Sequence, residues 1–174
     1  QCYHRWSFQQ DKQMEEELWM EKVEQSFSDA VRLRLISDVP VGALLSGGID
    51  SSLVVAFMAM MATKPVKTFS VGFAESDFNE LPFSKKIAER YQTDHHELIV
   101  KENMLSELPQ LLSAYDEPFA DPSALPTMLI CHASSEHVKV ALTGDGGDEA
   151  FGGYHRYLAL HYAPFLKKMP GSRM

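Results

Sequence analysis

One segment of the sequence combines glycines, hydroxyls and a carboxylate between two apolar stretches. It reads Ser-Gly-Gly-Ile-Asp-Ser-Ser at residues 46–52, after a predicted buried strand over 41–45 and before a predicted apolar helix over 51–62. Glycines in such a turn let backbone N–H groups approach a ligand closely, and the following helix directs the positive end of its dipole to the same place. The segment therefore predicts a cradle for a phosphate chain, in which its serine hydroxyls act as further donors.

This segment differs from two common phosphate-binding loops. No Lys follows its last glycine, as a Walker A loop requires, and the GxGxxG spacing of a dinucleotide fingerprint is absent. Asp50 is informative, because a carboxylate beside phosphates is repulsive unless a cation lies between them. Mg²⁺ commonly binds one or two carboxylates together with phosphate oxygens and is the natural candidate. Without the hydroxyls and the acid, the glycines would indicate only a sharp strand–helix corner.

A second glycine-rich segment, Thr-Gly-Asp-Gly-Gly-Asp-Glu at residues 143–149, follows a predicted buried strand over 138–142. It carries three carboxylates, on Asp145, Asp148 and Glu149, whose mutual repulsion favours a counter-cation. Ligands of open parallel sheets bind outside the carboxyl ends of the strands, so both segments are expected to line one crevice. A solvated acidic turn is the alternative, whereas the regular alternation of ligands in a calcium loop is missing.

Strands and helices alternate along the rest of the sequence. Two further strands are predicted at 66–73 and 95–100. This alternation implies βαβ units with right-handed crossovers, and therefore an α/β fold with an open, mostly parallel sheet and helices on both faces. Residues 115–122, rich in Asp and Pro, are predicted as a loop, with Ser123 as a helix cap. Helices are predicted at 14–36, 51–62, 82–91, 103–114, 123–135 and 153–162.

Composition excludes several classes of protein. The 174 residues, 45% hydrophobic and 23% charged, suit one globular domain. A net charge of −8 weighs against a dedicated nucleic-acid binder. The longest apolar run, residues 53–62, is well short of the ~20 residues that span a bilayer. Cys2 and Cys131 form no CxxC pair, which makes the cytoplasm the expected compartment.

Four motifs together resemble a known family. They are Ser-Asp-Val-Pro-Val-Gly-Ala-Leu-Leu-Ser-Gly-Gly-Ile-Asp-Ser-Ser from residue 37, Phe-Ser-Val-Gly-Phe from residue 69, Asp-Glu-Pro from residue 116, and the segment at 143–149. With this combination the chain, from about Tyr3 to Tyr157, closely resembles the synthetase domain of glutamine-hydrolysing asparagine synthetases. That domain belongs to the wider PP-loop ATP pyrophosphatase group.

The resemblance implies an adenine nucleotide α-hydrolase-like fold, with ATP and Mg²⁺ as cofactors. It implies that Mg-ATP adenylates the β-carboxylate of aspartate with release of pyrophosphate, and that ammonia then displaces AMP to give asparagine. In this family the ammonia is derived from glutamine by a separate glutaminase domain. Neither nucleic acid nor a membrane is an expected partner, and a homodimer of the full-length form stays open.

The same resemblance implies roles for individual residues. Asp50 and Asp148 would bind Mg²⁺. Asp145 would be the catalytic base toward the attacking ammonium or the tetrahedral adduct, although many members have Glu at this position. The pyrophosphate would be held by Ser46, Gly47, Gly48, Ser51 and Ser52, adenosine by Leu45, Val71 and Gly144, and Thr143 completes the nucleotide-binding set.

The chain is expected to be a piece of a longer protein. Residues 1–13 are interpreted as a linker from a glutaminase domain, and residues 14–174 as a synthetase domain truncated at its carboxyl end, so the isolated chain is expected to be inactive. Two alternatives stay open: a related amidotransferase or cyclase that acts on another carboxylate, as in β-lactam synthetase, and a nucleotide-binding module without catalysis. The acids Asp50, Asp145 and Asp148 argue against the second alternative.

Overall fold

The computed structural model describes residues 14–73, 79–100, 104–115, 117 and 120–166. The chain divides into two compact units, residues 1–36 and 37–174. In the first unit the described helix is α1 (Glu16–Arg34), which has glutamates in its first turn and arginines in its last turn. These charges complement the helix dipole. The predicted helix over 14–36 is confirmed, with slightly shorter ends.

Four parallel strands form the centre of the second unit. The strand order across the sheet is β3-β2-β1-β4. Leu44 of β1 lies opposite Phe69 of β2, and Ala43 of β1 lies opposite Leu142 of β4. Because every pair is parallel, the carboxyl ends of β1 and β4 lie side by side at one edge of the sheet. The strands are β1 (Val41–Leu44), β2 (Lys67–Phe73), β3 (Asp94–Val100) and β4 (Val140–Leu142).

Helices surround this sheet, which confirms the predicted α/β class. Helices α2 and α3 pack on each other, with α2 also on β1 and α3 on β2 and β3; α5 packs on β2 and β3, and α4 packs on α5. None of the helices in the described residues is long and apolar enough to cross a bilayer. The helices are α2 (Ile49–Met61), α3 (Leu81–Tyr91), α4 (Leu108–Tyr115), α5 (Ala124–Ser135), α6 (Gly147–Phe151) and α7 (His155–Leu166), with a 3₁₀ turn at Met104–Glu107.

The core lies between the strands and these helices. Phe69 of β2, which is 2% exposed, packs with Ile130 of α5 and with Val138. Val55 and Met58 of α2 are buried as completely. Close packing of this kind leaves little freedom at the strand ends, so the loops that leave them start from fixed positions.

Several elements differ from the sequence prediction. Of the predicted helix over 103–114, residues Met104–Glu107 form a 3₁₀ turn and α4 begins only at Leu108. β4 covers three residues instead of 138–142. The predicted turn after it runs directly into α6, which lies between Gly146 at φ 92° and Gly152 at φ 71°. Because both glycines adopt the left-handed backbone conformation, neither continues a right-handed helix. The last helix therefore begins at His155 rather than at 153. Pro109 falls in the first turn of α4, where its missing N–H is tolerated.

The Asp- and Pro-rich loop shows the turn chemistry that its sequence predicts. The carboxylate of Asp121 accepts from the N–H of Ser123 at 2.8 Å and from its hydroxyl at 2.7 Å. These bonds hold the pKa of Asp121 below its usual value. Ser123 stands at the predicted cap position of α5, but its hydroxyl serves Asp121 and makes no capping bond. Residues 116 and 118 of the Asp-Glu-Pro segment, and residue 119 after it, lie outside the described residues.

Candidate active site

The first glycine-rich loop leaves β1 at its carboxyl end and leads into α2. Its hydroxyls bond within the loop, since the Oγ atoms of Ser46 and Ser51 are 2.9 Å apart. The N–H of Gly48 donates to Ser46 Oγ at 3.2 Å, and Ser51 Oγ donates to the Gly48 carbonyl at 3.3 Å. Ser46 and Ser51 therefore fix the shape of the turn.

Gly47 allows this loop to lie in close contact with the start of α3. Its φ of 86° lies in the left-handed region that favours glycine. A Cβ at this position would also lie 2.6 Å from the amide nitrogen of Ser84 and 2.7 Å from Cβ of Phe83. Any side chain here would push the loop away from α3, so the glycine is required both for conformation and for space.

The amino end of α2 has the features of an anion site. The first N–H groups of any helix lack partners within it, and they carry the positive end of the helix dipole. The hydroxyl oxygen of Ser52, in the first turn of this 13-residue helix, is buried and has no hydrogen-bond partner in the part of the chain that the structure describes. A buried hydroxyl without a partner is costly. A phosphate oxygen at this helix end would accept a hydrogen bond from this hydroxyl, so the residues present fit a phosphate group.

The second glycine-rich loop holds the carboxylate of Asp145 in place. The hydroxyl of Thr143 donates to Asp145 Oδ2 at 2.8 Å and accepts from the Asp145 N–H at 3.4 Å. The N–H of Gly147 donates to the carbonyl of Gly144 at 3.2 Å, which closes the turn into α6. Asp145 is exposed to solvent, and it is therefore both oriented and accessible to a substrate.

The two glycine-rich loops are in direct contact. A Cβ on Gly144 would lie 2.7 Å from the amide nitrogen of Ser51, and a Cβ on Gly147 would lie 2.4 Å from Oδ2 of Asp50. The side chain of Asp50 thus extends from the first turn of α2 to the residue that precedes Asp148. The two segments therefore meet at the carboxyl ends of β1 and β4, whereas the predicted shared crevice stays a prediction.

The side chain of Asp148 occupies the space that is left open because Gly153 has no side chain. A Cβ on Gly153 would lie 1.8 Å from Oδ1 of Asp148, and the Gly153 N–H donates to the Asp148 carbonyl at 3.0 Å. The sequence signal for this relationship is the glycine pair at 152–153 after the acidic segment. In the structure Gly153 has no positive φ, so its lack of a side chain matters for space rather than for conformation.

Glu149 is engaged by an aromatic residue that sequence reasoning missed. The hydroxyl of Tyr154 donates to Glu149 Oε1 at 2.7 Å. The bond raises the pKa of Tyr154 to about 12 and holds the pKa of Glu149 below its usual value. The guanidinium of Arg156 lies 5.0 Å from the Tyr154 ring centroid. Of the three acids in the second segment, Glu149 is therefore the one whose carboxylate joins α6 to the residue before α7.

The donor set around Asp50 and Asp148 suits Mg²⁺ bound jointly with a nucleotide. Among the described residues, no group of three or more His, Cys, Asp or Glu side chains is placed to hold a metal ion by itself. Mg²⁺ typically takes one or two protein carboxylates and completes its shell with phosphate oxygens and water. Two acids beside the amino end of α2, whose donors fit a phosphate group, match that pattern.

Of the three expected adenosine contacts, Leu45 directly follows β1, Val71 lies on β2, and Gly144 lies in the loop after β4. Leu45 is 1% exposed, and its N–H donates to the Phe69 carbonyl at 2.8 Å, so its side chain belongs to the core. Val71 is partly buried against the cluster formed by Phe69, Ile130 and Val138. Contacts of Leu45 and Val71 with a nucleotide stay predictions.

Solved structures show the class of fold to which this sheet belongs. The chain is similar to the glutamine-dependent NAD⁺ synthetase of Acinetobacter baumannii in complex with ADP, with a TM-score of 0.54 and 20% identity, over 78% of this chain and 28% of that one. It is similar to the NH3-dependent NAD synthetase of Campylobacter jejuni, with a TM-score of 0.52 and 18% identity, over 77% of this chain and 60% of that one. The fold is the adenine nucleotide α-hydrolase-like fold.

The asparagine synthase family matches residues 22–173, and the chain belongs to that family. It is 40% identical to asparagine synthetase [glutamine-hydrolyzing] 1 of Bacillus subtilis over 165 residues, which are 90% of this chain and 26% of the relative. It is 44% identical to putative asparagine synthetase [glutamine-hydrolyzing] 2 of Methanocaldococcus jannaschii over 144 residues, 82% of this chain and 28% of the relative. The chain spans between a quarter and a third of the length of these relatives.

Proposed function

We propose that the protein containing this chain makes asparagine from aspartate, ATP and ammonia. In the first step an oxygen of the aspartate β-carboxylate attacks the α-phosphorus of ATP, and the bond to the β-phosphate breaks with release of pyrophosphate. In the second step the nitrogen of ammonia attacks the acyl carbon of β-aspartyl-AMP, loses a proton, and AMP departs. The contact between Gly144 and the first turn of α2 supports this proposal most directly, because it joins a phosphate site to an acidic loop.

The leaving pyrophosphate is assigned to the amino end of α2. Backbone N–H groups of the first turn and the unpartnered Ser52 hydroxyl offer donors there. Donors that are already oriented stabilise developing charge without a reorganisation cost at the moment of reaction. Asp50 and Asp148 would hold Mg²⁺ bound with ATP, and that ion would supply further charge neutralisation.

The second step is assigned to Asp145. A nitrogen nucleophile must lose a proton as it attacks, and a carboxylate within reach can take it. The Thr143 hydroxyl holds one carboxylate oxygen of Asp145, at 2.8 Å, and leaves the other for the reaction. We propose that the ammonia comes from hydrolysis of glutamine by a separate glutaminase domain. We also propose that the protein acts in the cytoplasm.

A screen of acceptors tests the reaction and its substrate together. The protein containing this chain is incubated with Mg-ATP, ammonia and each amino acid in turn, and pyrophosphate and AMP are measured. We expect release with aspartate, loss of at least ~10²-fold in Asp50→Asn, and no change in Asp38→Asn, an exposed acid before β1. Release with another carboxylate would indicate a different amidotransferase or cyclase. ATP binding without any release would indicate a nucleotide-binding module.

A further inference from the structure

Ser70 lies on β2 beside the root of the first loop. It is 3% exposed, and its hydroxyl donates to the carbonyl oxygen of Leu45. Leu45 is itself 1% exposed and directly precedes Ser46. Buried polar groups are stable only when they are hydrogen-bonded, so each of these two groups depends on the other.

The bond from Ser70 to Leu45 lies directly after the last backbone hydrogen bond between β1 and β2. The Leu45 N–H donates to the Phe69 carbonyl at 2.8 Å, and the described backbone bonds between the two strands end there. A regular parallel ladder would next direct a backbone N–H of β2 at the Leu45 carbonyl. The chain instead turns away into the loop, and the Ser70 hydroxyl bonds that carbonyl.

The position of the Leu45 carbonyl also determines the direction of the next N–H. The Leu45 carbonyl and the Ser46 N–H belong to one planar peptide group. Holding the carbonyl therefore fixes the Ser46 N–H, which points at Ser51 Oγ at 3.3 Å. Ser51 lies in the first turn of α2, so the bond from Ser70 is linked through one peptide group to the proposed phosphate site.

We propose that Ser70 is a positioning residue for ATP, acting through the Leu45–Ser46 peptide without touching the nucleotide. The proposal rests on the proposed function of the loop. Removing the hydroxyl leaves a buried carbonyl unpaired, and the peptide gains freedom to rotate at the root of the loop. The loss falls on contacts to the phosphates, so the KM for ATP rises about tenfold while kcat changes much less.

The test compares Ser70→Ala and Ser70→Thr with a matched control, Ser134→Ala, in the protein that contains this chain. Ser134 is 4% exposed, and its hydroxyl donates to the Cys131 carbonyl at 3.0 Å within α5. The control therefore removes a serine–carbonyl bond away from the loop, from a serine that is buried to the same degree as Ser70. Rates of aspartate-dependent pyrophosphate release give KM for ATP and for aspartate, and binding of a non-hydrolysable ATP analogue is measured by calorimetry.

We expect Ser70→Ala to raise the KM for ATP and the Kd of the analogue about tenfold with the KM for aspartate unchanged. Ser70→Thr, which keeps the hydroxyl, should restore both constants, and Ser134→Ala should leave them at the wild-type values. Wild-type constants in Ser70→Ala, or an equal increase in Ser134→Ala, would overturn the positioning role. A wild-type protein that binds the analogue but releases no pyrophosphate would contradict the proposed function alone, because calorimetry still reports on Ser70.

Discussion

Gly144 lies directly against the amide nitrogen of Ser51, with only 2.7 Å between that nitrogen and the place where a Cβ on Gly144 would stand. Gly144 belongs to the loop after β4, and Ser51 to the first turn of α2 after β1. Paired strands β1 and β4 bring the two loops to the same edge of the sheet. This contact brings together two segments that are almost a hundred residues apart in sequence.

Gly144→Ala is expected to damage this site. The added methyl group meets backbone atoms of Asp50 and Ser51, which cannot move without shifting α2. Overpacking of this kind costs about 1–3 kcal/mol of stability. We expect a lower thermal unfolding midpoint together with a higher KM for ATP, measured by calorimetry and by pyrophosphate release. A variant with wild-type stability and KM would show that the loops are not held in contact.

The two acids assigned to Mg²⁺ should behave alike. Asp50→Asn and Asp148→Asn keep the shape of the side chain and remove its charge, so we expect pyrophosphate release to fall at least ~10²-fold with the fold intact. The Mg²⁺ concentration for half-maximal activity should rise in both variants. Asp38→Asn serves as the control, since Asp38 is exposed and precedes the amino end of β1, whereas both loops follow the carboxyl ends of their strands. Near-normal release at ordinary Mg²⁺ would remove these residues from the metal site.

Asp145→Ala should separate the two half-reactions. Because Asp145 is assigned to the proton of the nitrogen nucleophile, we expect asparagine formation to fall ~10²-fold or more, and aspartate-dependent ATP–pyrophosphate exchange to fall far less. Thr143→Val, which removes the hydroxyl that holds Asp145 Oδ2, should show a weaker form of the same split, and Thr143→Ser should not. Equal losses in both half-reactions would place Asp145 in ATP or metal binding instead.

His95 should make stability depend on pH. Its Nδ1 lies 2.9 Å from Thr68 Oγ1, and burial, which outweighs the attraction of Glu97, lowers its pKa below 6.5; His96 and Lys85 act in the same direction as burial. The unfolded chain then binds a proton more readily than the folded chain, so stability falls as the pH drops below 6.5. Thermal unfolding midpoints between about pH 5 and pH 8 should decline less in His95→Gln than in wild type. Parallel profiles would contradict this assignment.

Much of the fold could be predicted from the sequence, because the buried strands are apolar runs followed by polar glycine-rich turns. The alternation along β3 also predicts that His95 and His96 face opposite sides. His95 bonds Thr68, whereas the ring of His96 stacks 5.2 Å from that of Phe69. The parallel pairing of β1 with β4 then places the two loops together, because the loops that follow neighbouring parallel strands leave the sheet at the same end.

Other features depend on tertiary contacts that have no local sequence signal. α6 was missed because glycine is a poor helix former, and the segment that starts it contains several glycines. The role of Ser70 could not be predicted either, because a single serine in an apolar strand is common. Its partner, the Leu45 carbonyl, is brought next to it only by the fold. The bond from Tyr154 to Glu149 depends on the chain reversal at Gly152, which the sequence indicated only as a glycine pair.

The transfer of oxygen from aspartate to AMP tests the proposed chemistry most directly. Aspartate labelled with ¹⁸O in its β-carboxylate is incubated with the protein that contains this chain, Mg-ATP and ammonia, and the products are analysed by mass spectrometry. If the β-carboxylate attacks the α-phosphorus, one ¹⁸O atom appears in the phosphate of AMP for each asparagine formed, and pyrophosphate is unlabelled. Asparagine formed with ADP and labelled inorganic phosphate, or with unlabelled AMP, would contradict adenylation.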